Sequence, residues 1–270
     1  MTGGLIALGK VALAFVIAVP LAIYFLQERL IFFPQPLSGA ERAEIERHFA
    51  QVKQVVLRAP DGKTLHAWVM PAPGAPLVIY FGGNAENVAW MIPEAQKHAP
   101  GVAWLLVDYR GYGGSEGAPT EAAIGADALQ WYDYAAAELK PARISVFGRS
   151  LGSGAAVYLA SQRKVSRVVL VTPFDSLIEV AKRHYPFLPV NLMLKHRFDS
   201  ISRAPTIAAP LLCIAAQRDE VVPAVHARRL YDAWGGPKDW VELGEAGHNT
   251  TDSHPLFWQN VASFLMKPAP

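Results

Sequence analysis

Two patterns of apolar and polar positions divide this chain. Leu5 to Leu26 is almost wholly apolar, with Lys10 as its only charge. From about Val52 the pattern changes: short, β-branched apolar runs alternate with longer stretches of helical period, as in a sheet flanked by helices. The short runs predict strands at 52–58, 65–70, 77–81, 104–108, 143–147, 165–171, 211–215 and 240–243. Asp61-Gly62 separates the first two and predicts a hairpin turn. The later runs are continuously apolar, as in parallel strands covered on both faces. Helices are predicted at 87–99, 121–139, 151–161, 176–184, 224–234 and 255–266. Between the two regions, 27–38 reads as a connector broken by Pro34 and Pro36, and 41–51 as a short charged surface helix. The longest departure from alternation is 175–203, an insertion after the sixth strand that contains Pro186 and Pro189.

The N-terminal run would extend about 33 Å as a helix, enough for a hydrocarbon core of about 30 Å. Lys10 can reach the near interface along its own stem, and Tyr24, Phe25, Phe32 and Phe33 suit an interfacial band. A cleavable signal peptide is the rival reading, with Lys10 in its charged part and 11–19 as its apolar part. Pro20-Leu21-Ala22 is a poor cleavage site, so a retained single-pass membrane anchor is the reading adopted. Lys10 and the α-amino group toward its start and Arg29 and Arg42 after it leave the positive-inside count near a tie, so the side of the membrane stays open. The expected organisation is a membrane anchor and juxtamembrane segment at 1–34 and a catalytic domain at 35–270.

Composition narrows the classes. The 270 residues suffice for one sizeable core. With 51% apolar and 18% charged residues, disorder is excluded. A formal net charge of +2 gives no support for a nucleic-acid partner. The single cysteine, Cys213, excludes an internal disulfide framework and multi-cysteine zinc sites. It lies in an apolar run and reads as a buried small hydrophobe. No pair of the eight histidines has H-E-x-x-H spacing. No metal and no cofactor are expected, and a monomer is.

The sharpest chemical signal is Gly148-Arg149-Ser150-Leu151-Gly152, a G-x-S-x-G between a predicted strand and a predicted helix. That context suits a nucleophile elbow, which presents Ser150 above the sheet at a helix N-terminus. A serine hydroxyl needs a base. His248, in Ala246-Gly247-His248-Asn249 after the last strand, is the candidate. The carboxylate that orients it is expected to be Asp219, after the seventh strand; its neighbour Glu220 and Asp175, after the sixth strand, are the rivals. The order is Ser, Asp, His, which differs from that of chymotrypsin and of subtilisin. Gly82-Gly83-Asn84 ends the third strand, so the backbone N–H groups of Asn84 and Leu151 are the expected oxyanion donors.

Taken together these residues resemble the α/β-hydrolase superfamily from about Val52 to the C-terminus. More narrowly the chain is similar to the membrane-anchored hydrolases of the α/β-hydrolase-domain-containing and bud-emergence type. Four segments carry that likeness: Gln27–Pro34, Gly83-Asn84-Ala85-Glu86-Asn87, Asp108–Gly117 and Asp219-Glu220-Val221-Val222-Pro223. The fold implied is a mostly parallel eight-stranded α/β sheet with helices on both faces, a small insertion after strand 6 and a transmembrane helix in front. The activity implied is cleavage of carboxylic esters or thioesters of small-molecule or lipid-like acyl substrates. A serine peptidase and an inactive membrane scaffold are the alternatives. Where the family commonly has His-Gly-Asn, this chain has Gly82-Gly83-Asn84, so the histidine that usually buttresses the oxyanion loop is missing. The insertion, with Phe174, Phe187 and Leu192, is expected to form an apolar lip that binds the acyl group.

Overall fold

The computed structural model describes residues 18–267. Eight strands form one sheet: β1 (Lys53–Arg58), β2 (Thr64–Met70), β3 (Leu77–Phe81), β4 (Ala103–Val107), β5 (Ile144–Arg149), β6 (Val168–Val171), β7 (Leu211–Ala216) and β8 (Lys238–Leu243). Their order across the sheet is β1-β2-β4-β3-β5-β6-β7-β8. β1 and β2 are antiparallel, as the Asp61-Gly62 turn predicts, and β2 pairs antiparallel with β4. All later pairings are parallel.

The two faces of the sheet carry separate cores, because successive strand side chains point to opposite sides. On β3, Leu77, Ile79 and Phe81 face one core while Val78 and Tyr80 face the other. The first is covered by α4 (Glu121–Tyr134), α5 (Leu151–Gln162) and α8 (Ala224–Ala233). The second is covered by α3 (Met91–His98) and α9 (Pro255–Met266). Cys213 is fully buried in the first, in keeping with its apolar run. α4 ends in a π-helical turn at Ala135–Leu139, so the helix predicted at 121–139 is present with a loosened last turn. The surface helix predicted at 41–51 is α2 (Gly39–His48), started by a Ser38–Glu41 capping box. The insertion after β6 holds α6 (Leu177–His184) and a short α7 (Val190–Met193) that was not predicted.

The start of the chain departs most from the expectation. Residues 18–32 are helical and are called α1; most of the apolar run 5–26 lies outside the described residues. Among the described residues no helix is long and apolar enough to cross a membrane. Gln27, Glu28 and Arg29 extend the helix instead of ending it, and it stops at Phe33, which has φ 46° and precedes Pro34. The expected boundary at 34/35 is no break in packing. Phe32 is 0% exposed and meets His196 and Phe198 edge-on. Its carbonyl accepts the Ala85 N–H at 3.3 Å, and Gln35 and Leu37 exchange backbone bonds with Gly113.

Candidate active site

Every predicted reactive residue sits on a loop at the C-terminal edge of the parallel strands, where open α/β sheets form their crevice. Phe81 pairs in register with Gly148, so the loops after β3 and β5 lie side by side. Ser150 joins β5 to α5 with φ 49° and ψ −116°, a conformation costly for a residue with a Cβ. The turn is held by Ser150 N–H donating to the Val171 carbonyl at 2.9 Å, and by Ser153 donating to the Ser150 carbonyl from both its N–H and its hydroxyl. The flanking glycines are steric requirements. A Cβ on Gly152 would overlap the Phe81 carbonyl, and one on Gly148 would overlap the Gly152 backbone.

The structure brings Ser150, His248 and Asp219 into one line. His248 Nε2 lies 2.8 Å from Ser150 Oγ, and His248 Nδ1 lies 2.7 Å from Asp219 Oδ2. The other Asp219 oxygen accepts the N–H groups of Val221 and Val222 at 2.9 and 2.7 Å, which fixes the carboxylate. Asp219 and His248 are both buried. The rivals are elsewhere. Glu220 is exposed. Asp175 is buried against α8, 2.8 Å from His226 Nδ1 and 3.2 Å from Arg229.

Asn84 and Leu151 line the cleft beside Ser150. Among the described residues neither backbone N–H has an internal hydrogen-bond partner. Ser150 also lies at the N-terminus of α5, where the peptide dipoles favour developing negative charge.

The missing histidine has a substitute that the sequence reading overlooked. Glu86 accepts from Gly83 N–H at 2.6 Å, from Tyr80 hydroxyl at 2.5 Å and from Trp90 Nε1 at 2.7 Å. A Cβ on Gly82 would press on the Glu86 carboxylate at 2.8 Å, so the glycine and the glutamate occupy one space. Burial, with the Glu86 charge nearby, pushes the Tyr80 and Tyr109 hydroxyls well above their ordinary range. Both stay protonated and donate, Tyr109 to the Gly82 carbonyl at 2.8 Å. The quoted segment Gly83–Asn87 contained this signal, but Glu86 was given no role. The Asp108–Gly117 loop reaches this region through Tyr109 and is itself held by Asp108, which is 2.6 Å from His66 Nδ1 and accepts the Gly114 N–H.

An apolar cleft of about 270 Å³ leads away from Ser150. Phe174 lines it, as expected. Phe187 and Leu192 do not: they are 91% and 86% exposed, and their neighbours Leu188, Val190 and Met193 face the cleft. The insertion folds with a turn at 186–188 and the short α7, which rotates the inward set by a residue from the one expected. On the other side of Ser150 a polar recess is lined by Glu86, Arg149, His248 and Asn249.

A family model described as the alpha/beta hydrolase fold matches residues 76–194. The alpha/beta hydrolase domain-containing protein WAV2 of Arabidopsis thaliana is 30% identical over 90% of this chain and 89% of its own length. This chain belongs to the alpha/beta hydrolase family. Another relative of this hydrolase, the uncharacterized protein Rv2307c of Mycobacterium tuberculosis, is 38% identical over 90% of the chain and 88% of that protein. Among solved structures, the Pyrococcus furiosus esterase Pf2001 superposes with a TM-score of 0.66 at 20% identity, covering 82% of this chain and 92% of the esterase. At that identity the likeness is one of fold.

Proposed function

We propose that this alpha/beta hydrolase is a membrane-anchored serine hydrolase of carboxylic ester or thioester bonds. The observation that carries the reading is the unbroken line from Ser150 Oγ through His248 to Asp219, at a strained elbow beside two backbone N–H groups without partners among the described residues. His248 Nε2 takes the Ser150 proton as Oγ attacks the acyl carbon, and Asp219 steadies the imidazolium that forms. The N–H groups of Asn84 and Leu151 stabilise the oxyanion. The alcohol or thiol leaves with the proton from His248, and the acyl group remains on Ser150. Water then attacks, again deprotonated by His248, and frees the acid. No cofactor enters the cycle.

The apolar cleft supports an acyl group over a peptide substrate. A peptidase that holds a free amine needs an available carboxylate beside Ser150, and the Glu86 carboxylate in the polar recess is already taken by three donors. The test is covalent labelling by a fluorophosphonate, together with turnover of p-nitrophenyl esters against amino-acid anilides. Ser150→Ala should remove labelling and lower ester turnover by about a thousandfold or more. Labelling that persists in Ser150→Ala would sink the assignment.

A further inference from the structure

The cleft that starts at Ser150 is not enclosed by the hydrolase domain alone. One wall comes from the insertion, through Val180, Leu188 and Met193. The facing wall is α1: Ile23, Gln27, Leu30 and Ile31 line the same cleft. α1 is the direct continuation of the apolar run that begins at Leu5.

The two walls are tied together at one residue. Gln27 is 4% exposed, and its side-chain amide bonds to the insertion on both sides of Leu194. Its oxygen accepts the Lys195 N–H at 2.8 Å, and its nitrogen donates to the Met193 carbonyl at 3.1 Å. A buried amide with these partners fixes register, and its loss strands two backbone groups. Lys195 adds a second tie by lying over the Tyr24 ring and 3.7 Å from Glu28. α1 is therefore docked on the insertion by directional bonds.

Large apolar side chains stand exposed on the same two elements, among polar ones such as Arg29 and Asn191. Phe25 on α1 is 68% exposed, and Phe187 and Leu192 on the insertion are 91% and 86% exposed. Large apolar side chains flanking a cleft mark a surface that meets something apolar, and aromatic residues next to an apolar helix suit a lipid interface.

We propose that the cleft takes the long acyl chain of an ester lying in the same bilayer as the N-terminal segment, and that Ile23, Gln27 and Leu30 of α1 determine its chain-length specificity. This rests on the reading of Ser150 as the nucleophile. The acyl chain leaves the bilayer between α1 and the insertion, with its carbonyl carbon at Ser150 and its polar leaving group toward the Arg149 side. The segment that holds the protein at the membrane is then also part of its substrate site.

The experiment uses the full-length chain in phosphatidylcholine vesicles. The probes are p-nitrophenyl palmitate dissolved in the bilayer, p-nitrophenyl acetate in solution and palmitoyl-coenzyme A in solution. Leu30→Trp and Ile23→Trp narrow the cleft. Each excluded methylene costs about fourfold in binding. A tryptophan that excludes two or more should lower the palmitate-to-acetate ratio of kcat/KM by about tenfold or more. Gln27→Ala should lower the same ratio by releasing the wall. Leu21→Trp, on α1 but outside the cleft, should leave the ratio unchanged. A ratio unmoved by Leu30→Trp, Ile23→Trp and Gln27→Ala, with acetate turnover present, would overturn the α1 assignment alone. Turnover of palmitoyl-coenzyme A without turnover of the bilayer ester would overturn the lipid source. Absence of both acetate turnover and fluorophosphonate labelling in the unaltered protein would overturn the hydrolase reading, and this inference with it.

Discussion

Three aspartates among the described residues hold a histidine, and two of them, Asp219 and Asp175, were rivals for one role but stand in different surroundings. Asp219 points its histidine at Ser150, whereas Asp175 lies buried between the insertion and α8 with His226 and Arg229. Asp219→Asn should therefore lower ester kcat by about 10⁴-fold, as loss of the orienting carboxylate does in serine hydrolases of this geometry, while Asp175→Asn should change kcat little and thermal stability measurably. The reverse pattern would exchange their roles. His248→Ala combined with Asp219→Asn should be far from additive, since the residues act as a unit. Glu86 makes a subtler prediction. It touches no reacting atom but holds the Gly83 N–H next to Asn84. Glu86→Ala should lower kcat by about tenfold or more with little change in KM, because loosening one oxyanion donor weakens only transition-state binding. Equal changes in kcat and KM would mean a general loss of structure. The meeting of Ser150, His248 and Asp219 was legible in the sequence because each follows a strand in a short, spaced motif. Glu86 was not, because the expectation looked for a histidine at position 82, and a glutamate four residues on fills that space only after the turn has folded.

At the scale of elements, the strands and most helices were readable from period alone, since buried parallel strands leave continuous apolar runs and the sheet forces their order. The insertion was readable as apolar but not as a surface. In 185–194 nearly every residue is apolar or proline, so the pattern has no phase to say that Leu188 faces in and Phe187 out. α1 was misread for a related reason. Polar Gln27, Glu28 and Arg29 looked like the end of a helix, but Gln27 is buried by partners 166 and 168 residues away, which no local pattern encodes. The domain expected to begin at residue 35 should thus be poorly soluble or inactive when made alone. Phe32→Ala in the full chain should cost about 3–5 kcal/mol, as aromatic truncations in a core do, read as a lower midpoint in denaturant. A fragment from 35 that matches the full chain in stability and acetate turnover would refute this.

Across the whole molecule, two cores on opposite faces of one sheet set the frame, and buried ion pairs pin the surface elements to it. Burial alone would raise the Asp175 carboxyl, but His226, the Ser176 N–H and Arg229 hold it below the usual carboxylate range. A carboxyl held low contributes stability above its unfolded value of about 3.9, and that contribution fades as pH falls through the lower folded value. Asp175→Asn should therefore melt below the unaltered protein near pH 7, with the gap closing as the pH falls below the unfolded carboxyl value. A gap independent of pH would show that the carboxylate charge is not what pins the insertion to α8.

For a protein anchored at a membrane as proposed, the bond from the Ala85 N–H to the Phe32 carbonyl has a consequence for how it could be shed. Ala85 follows Asn84, so the last turn of α1 holds the loop that carries a proposed oxyanion donor. A protease cutting at the exposed 33–36 stretch would free a fragment without Phe32 and with that loop untethered. A cut before Gln27 would free one that keeps both. Any naturally released form that still turns over esters should begin at or before Gln27, and the N-terminal sequence of such a form would decide it.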